Sequence, residues 1–89
     1  MSFMHLAFSS DGARPLSSLR EGDQAIVVGV VADTAGRADR LLSLGVSPGA
    51  VVTMLQRVPG VVFLCDQTEL AVERGVADVV LVSLKEMLT

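Results

Sequence analysis

The sequence has no tryptophan, no tyrosine and only three phenylalanines, so aromatic side chains make up 3% of its 89 residues. Phe3, Phe8 and Phe63 cannot build the aromatic walls that grip proline-rich peptides or unpaired bases. A single cysteine, Cys65, excludes an internal disulfide, in keeping with a reducing compartment. One cysteine and one histidine, His5, fall far short of the four closely spaced ligands of a structural zinc site. With His5 the only available base, no nucleophile–histidine–carboxylate triad assembles either. Basic residues are few: seven against ten acidic ones give a net charge of -3. Phosphate-tracking proteins carry a basic stripe, so no nucleic-acid partner is expected.

Long apolar runs are missing as well. The longest, Ala25 to Ala32, has eight residues with Gly29 inside it, whereas a membrane span needs about 20. His5, Ser9, Ser10, Asp11 and Arg14 interrupt the first twenty residues, leaving no apolar core for a secretory signal. The expectation is a cytoplasmic protein with no direct membrane insertion. Gly45 and Gly49 lie ahead of a strand and lack the lysine of a phosphate-binding loop. Glu69 and Glu73, four apart on a strand, stand about 13 Å from each other, too far to share a metal or a proton. No catalytic residue, cofactor or dedicated metal site is therefore expected, and any weak metal binding is left to His5 or Cys65.

What the chain does have is aliphatic bulk: 51% of it is hydrophobic, and one domain is all that 89 residues provide. Residues 1–14 are expected as a flexible N-terminal extension, 15–83 as the domain and 84–89 as a C-terminal tail. Ala25 to Ala32 is a continuous β-branched run of strand length. Gly29 within it marks a bulge, a bend or a close backbone approach. From Ala35 the period changes: Ala38, Leu41, Leu42 and Gly45 share one helical face, with Arg37, Asp39, Arg40 and Ser43 on the other. Asp33 or Thr34 is placed to cap this helix, and Gly45 to end it in the left-handed conformation. Pro48 and Gly49, after Ser47, carry type II turn chemistry, as do Pro59 and Gly60 between the strand-like runs Val51 to Val58 and Val61 to Asp66.

In the second of these runs, alternation puts Cys65 either in the core with Val61 and Phe63 or on the opposite face. Glu69 to Glu73 alternates, with Leu70 and Val72 facing one way. Arg74 and Gly75 turn the chain into a last strand, Asp78 to Val82, and Leu84 to Leu88 suggests a terminal helical turn. About five short strands and one inserted helix predict a mainly β fold, a small, partly open barrel that hides its sheet edges by curling.

The order of motifs then becomes specific: Leu16, Leu19, Glu21 and Gly22, the stretch RLLSLGVSPGAVV from Arg40 to Val52, and the closing LAVERGVADVVLV. It resembles the FeoA family of ferrous iron transport accessory proteins. The resemblance implies an SH3-like barrel with the helix inserted between strands. It also implies a regulatory module, not an enzyme, whose partner is the cytoplasmic region of the FeoB-type transporter, which would hold it at the inner face of the membrane. Gly22, Leu44, Gly45, Pro48 and Gly49 match the family motif in structural roles. The contact surface is expected on the helix face and following turn, at Arg37, Arg40, Leu41 and Ser47, or on the hairpin, at Arg57, Val61 and Val62. Two alternatives stand beside this reading. One is a metal-responsive module related to the C-terminal domain of diphtheria-toxin-repressor-type regulators. The other is a homo-oligomeric interaction protein.

Overall fold

The computed structural model describes residues 12–32 and 36–84. Strand β1 (Ala13–Pro15) leads through a single 3-10 turn, Leu16–Ser18, to β2 (Gln24–Val30). Helix α1 (Arg37–Ser43) precedes β3 (Val51–Gln56), β4 (Val61–Cys65) and β5 (Thr68–Val72), and a one-turn helix α2 (Arg74–Ala77) precedes β6 (Val80–Leu84). The strands form one antiparallel sheet in the order β1-β6-β2-β3-β4-β5, curled but not closed. The fold is mainly β with one short inserted helix, as the residue pattern implies, and the described residues form six strands.

The sixth strand, β1, pairs Ala13, Arg14 and Pro15 with Ser83, Val82 and Leu81. Ala13 and Arg14 thus belong to the sheet and not to the N-terminal extension. Three residues containing a proline carry no alternation to read, so only pairing reveals this strand. Residues 1–11, with His5, and the suggested turn beyond Leu84 lie outside the described residues, whereas Leu84 itself ends β6.

The core is built by alternation. Ala25 and Val27 of β2, Val52 and Met54 of β3, Val61, Phe63 and Cys65 of β4, and Val80 and Val82 of β6 all point inward and are buried. Leu16, Leu19, Leu41, Val46 and Ala77 close over them. The Gly29 site is a bulge: Val27 pairs with Val82 and Gly29 with Leu81, leaving Val28 as the extra residue. A Cβ on Gly29 would meet nothing within 4 Å, so close backbone approach is not its reason. A second bulge, unannounced in the sequence, makes Leu55 the extra residue between Met54 and Gln56 and leaves it exposed.

Helix α1 is stopped as its sequence dictates. Gly45 takes φ 95°, its N–H donates to the Leu42 carbonyl, and the next N–H, Val46, donates to Leu41, which completes a Schellman cap. Gly49 follows with φ 97°, and Ala50 N–H closes the Ser47–Ala50 turn at 3.0 Å. That turn docks on β2, since Gly49 N–H donates to the Val27 carbonyl and Val27 N–H to Ala50. The Arg40 to Val52 signature is thus a device for stopping a helix and sewing the chain back onto the sheet. Gly22, the other motif glycine, donates its N–H to the Met54 carbonyl at 2.7 Å.

Three expectations are corrected. Asp33 and Thr34 lie outside the described residues, and the cap position of α1 is Gly36, with no side-chain cap. Leu42, expected on the buried helix face, is 47% exposed, because so short a helix on the sheet's rim buries only the narrow stripe Ala38 and Leu41. Gly60 does not have positive φ, so Pro59 and Gly60 do not form a type II turn, and the Val58–Pro59 peptide is cis.

The tight link between β4 and β5 rests on Asp66, the one non-glycine described residue with positive φ, at 56°. Its N–H donates to the Val51 carbonyl at 2.8 Å, and its carboxylate accepts from Val51 N–H at 3.3 Å. Asp66→Val should therefore cost about 2 kcal/mol, since a β-branched residue is strained there and the acceptor is lost. Asp66→Asn, which tolerates the conformation and keeps an acceptor, should stay within about 0.5 kcal/mol of wild type. Urea unfolding midpoints of the two variants check this, and equal midpoints would refute it.

Candidate functional site

Two shallow grooves meet at the end of β5. One, of about 300 Å³, lies between α1 and the β5–α2 segment and is lined by Arg37, Arg40, Leu41, Leu44, Ala71, Val72, Glu73 and Val76. The other, of about 420 Å³, lies between the β3–β4 hairpin and the same segment, and Gln56, Pro59, Gly60, Val61 and Val62 face it. Ala71, Val72 and Glu73 line both. The two surfaces expected from the sequence, helix face and hairpin, are thus the two sides of one composite face.

The helix motif explains the first groove. The Schellman cap leaves Leu44 at the C-cap of α1, 46% exposed, and Arg40 lies one turn earlier on the same rim. The Arg37 guanidinium reaches across to α2 and stops beside Gly75, 3.9 Å from where a Cβ would stand. Leu44 therefore both ends the helix and lines the groove. Arg37, Arg40 and, on the second groove, Arg74 give the face a cationic rim, with Glu73 the one carboxylate among the lining residues.

Not every expected contact residue is at the surface. Leu41 and Val61 are 1% and 2% exposed and belong to the core, because each sits on the inward phase of its element. Ser47 is half-buried in its turn, and Arg57 is exposed on the hairpin, yet neither lines a groove. Conversely, Ala71, Val72, Glu73, Arg74 and Val76 escaped sequence reasoning. Helix α2 has four residues, too few for any period to show, and reads as a turn because of Gly75.

Cys65 resolves to the core phase, buried beside Val61 and Phe63, with its thiol donating to the Gly45 carbonyl at 3.6 Å. Among the described residues no three His, Cys, Asp or Glu side chains gather at a metal-binding distance. Burial pushes the Cys65 thiol above its ordinary value, and the adjacent Asp66 charge adds to the rise. The folded state thus holds the thiol proton more tightly than the unfolded chain. This contribution to stability is fully present below the unfolded thiol's pKa and is lost as pH rises through the higher folded one. Urea unfolding at about pH 7.5 and pH 10 should show a loss of stability in wild type that is smaller in Cys65→Ala. A slope identical in both proteins would count against it.

Residues 14–84 match the family described as the FeoA domain. The chain belongs to the FeoA family. It is similar to the FeoA protein of Chlorobium tepidum, with 33% identity and a TM-score of 0.70 over 79% of this chain and 69% of that one. It is also similar to zinc-complexed FeoA of Stenotrophomonas maltophilia, described as a procaryotic SH3 domain protein and connected with ferrous iron transport. There the identity is 27% and the TM-score 0.69, over 78% of this chain and 88% of that one. T. acidophilum IdeR shares the fold alone, with 19% identity and a TM-score of 0.75 over 82% of this chain and 34% of that one. No curated protein matches the chain. The family is one of ferrous iron transport, and its members are accessory or regulatory proteins. The family motif that identifies it here is also the device that builds the α1 wall of the groove. No helix among the described residues is long and apolar enough to cross a membrane.

Proposed function

We propose that this FeoA protein acts in the cytoplasm as an accessory of ferrous iron uptake by contacting the cytoplasmic, GTP-binding region of a FeoB-type transporter. The observation that carries the reading is the composite face at the end of β5, where apolar side chains, Leu44, Ala71 and Val76, are ringed by Arg37, Arg40 and Arg74. Contact faces combine apolar centres with arginine and a polar rim in this way. On this reading the protein is carried to the inner face of the membrane by its partner, and its own residues perform no bond-making step.

The test is a titration of isotope-labelled protein with the transporter's GTP-binding region, first with GDP and then with a GTP analogue. Amide shifts confined to residues 37–44, 60–62 and 71–76 are expected. Shifts elsewhere would move the face, and no shifts at high micromolar concentration would remove the partnership. Nucleotide-dependent shifts would make the contact a regulatory one.

A further inference from the structure

An open sheet has two edges, and this one treats them differently. At one end β1 is three residues long and contains Pro15, which has no N–H to offer, so that edge is blunted. At the other end β5 pairs, among the described residues, with β4 alone. The register tells which of its peptide groups are free. The Asp66 N–H points to β3, where it donates to the Val51 carbonyl, so alternation turns Leu64 and Val62 toward β3 as well, and Cys65, Phe63 and Val61 toward β5. Their partners Thr68, Leu70 and Val72 are then bonded to β4, and the N–H and C=O groups of Glu69 and Ala71 point away from the sheet. Neither residue has another hydrogen bond among the described residues. Glu69 and Ala71 are exposed, and Ala71 lines both grooves.

We infer that the free edge of β5 is a strand acceptor, which binds an extended acidic and apolar segment of a partner protein as a seventh strand. The inference rests on the reading that this face meets a protein partner, and it names the chemistry of the contact. Successive side chains of an added strand alternate between faces. Those on the inner side enter the α1 groove, where apolar groups meet Leu44 and Val76 and carboxylates meet the Arg40 rim. Those on the outer side pass Ala71 and Val62, next to the Glu69 carboxylate, and are apolar or neutral. A second copy of β5 does not fit this pattern. Its inward side chains are Leu70 and Val72, which bring no carboxylate to Arg40, and its own Glu69 adds negative charge at the edge.

The test uses the full chain, isotope-labelled, and three synthetic peptides of about eight residues. One alternates glutamate and valine, one alternates lysine and valine, and the third repeats the acidic sequence with alternate backbone nitrogens methylated. The acidic peptide should slow hydrogen exchange at the Glu69 and Ala71 amides. Binding should fall about tenfold or more with the lysine peptide, the methylated peptide and the Arg40→Glu variant. Ala71→Pro removes one outward N–H at a position where an edge strand accommodates proline, and should weaken binding to the same extent. If that variant does not fold, the methylated peptide makes the same test from the ligand side.

Absence of binding, binding without protection of Glu69 and Ala71, or equal affinity for the lysine peptide would each overturn the inference. Protection of the same amides on concentrating the protein alone would overturn it too, by assigning the edge to a second copy. A parallel titration with the transporter's cytoplasmic region separates the two claims. If the transporter binds and the acidic peptide fails, strand acceptance falls and the partnership stands. If the peptide behaves as expected and the transporter does not bind, the edge assignment stands and the partnership falls.

Discussion

Phe63→Ala is expected to remove about 3–5 kcal/mol of stability, the largest effect of any single substitution considered for this chain. Phe63 is fully buried and is the one aromatic side chain of the core among the described residues, placed on β4 between Met54 of β3 and Leu70 of β5. The other core side chains are aliphatic or small, so none can swing in to fill the hole a lost ring leaves. Domains hold about 0.05–0.15 kcal/mol per residue, roughly 4–13 kcal/mol for a chain of this length. The loss is therefore about a quarter or more of the whole stability, and at the low end of that range it unfolds the protein. Phe63→Leu, which keeps most of the volume, should lose about 1–2 kcal/mol. Urea unfolding followed by far-ultraviolet circular dichroism checks both. A Phe63→Ala loss under about 1 kcal/mol would mean that this part of the core does not close around the ring.

The second large effect falls on binding, with stability untouched. Arg40→Ala combined with Leu44→Ser removes a cation and an apolar side chain from the rim of the α1 groove, both of them exposed. Exposed substitutions of this kind change stability by about 0.5 kcal/mol or less. If the groove is the contact face, affinity for the transporter's cytoplasmic region should fall about thirtyfold, the size of a hot-spot loss near 2 kcal/mol. Val58→Ser alters the β3–β4 hairpin, whose Val58 is 68% exposed, and reports on the other arm. Glu21→Ala, in the turn before β2, should leave affinity unchanged. Isothermal titration of the variants decides the placement. Equal binding by the double variant and the wild type would take the contact off α1.

The Gly45 stop and the Pro48–Gly49 turn could be read directly, because each depends on backbone conformations that few residues adopt. Alternation in Val61 to Cys65 and in Leu70 to Val72 likewise announced which side chains share a face. Cys65 shows the limit of that signal, since alternation paired it with Phe63 without saying which of the two faces was the core. Strand β1 and helix α2 were illegible because three or four residues contain less than one period. The Leu55 bulge was invisible for a different reason: it depends on how β3 meets β4, and no residue type marks it.

The same division runs through the candidate site. By itself the sequence determined the family, the mainly β class, the helix with its stop and turn, and the poverty in aromatic and metal-ligating side chains. Those properties reside in residue types and local spacing. Tertiary structure alone decided that Leu41 and Val61 are core while Leu44 is surface, and that helix and hairpin border the same β5 end. It also decided that, among the described residues, one sheet edge is blunted and the other open. Such features arise from pairing between residues far apart in the chain. A free edge exists only once every other strand has found its neighbour.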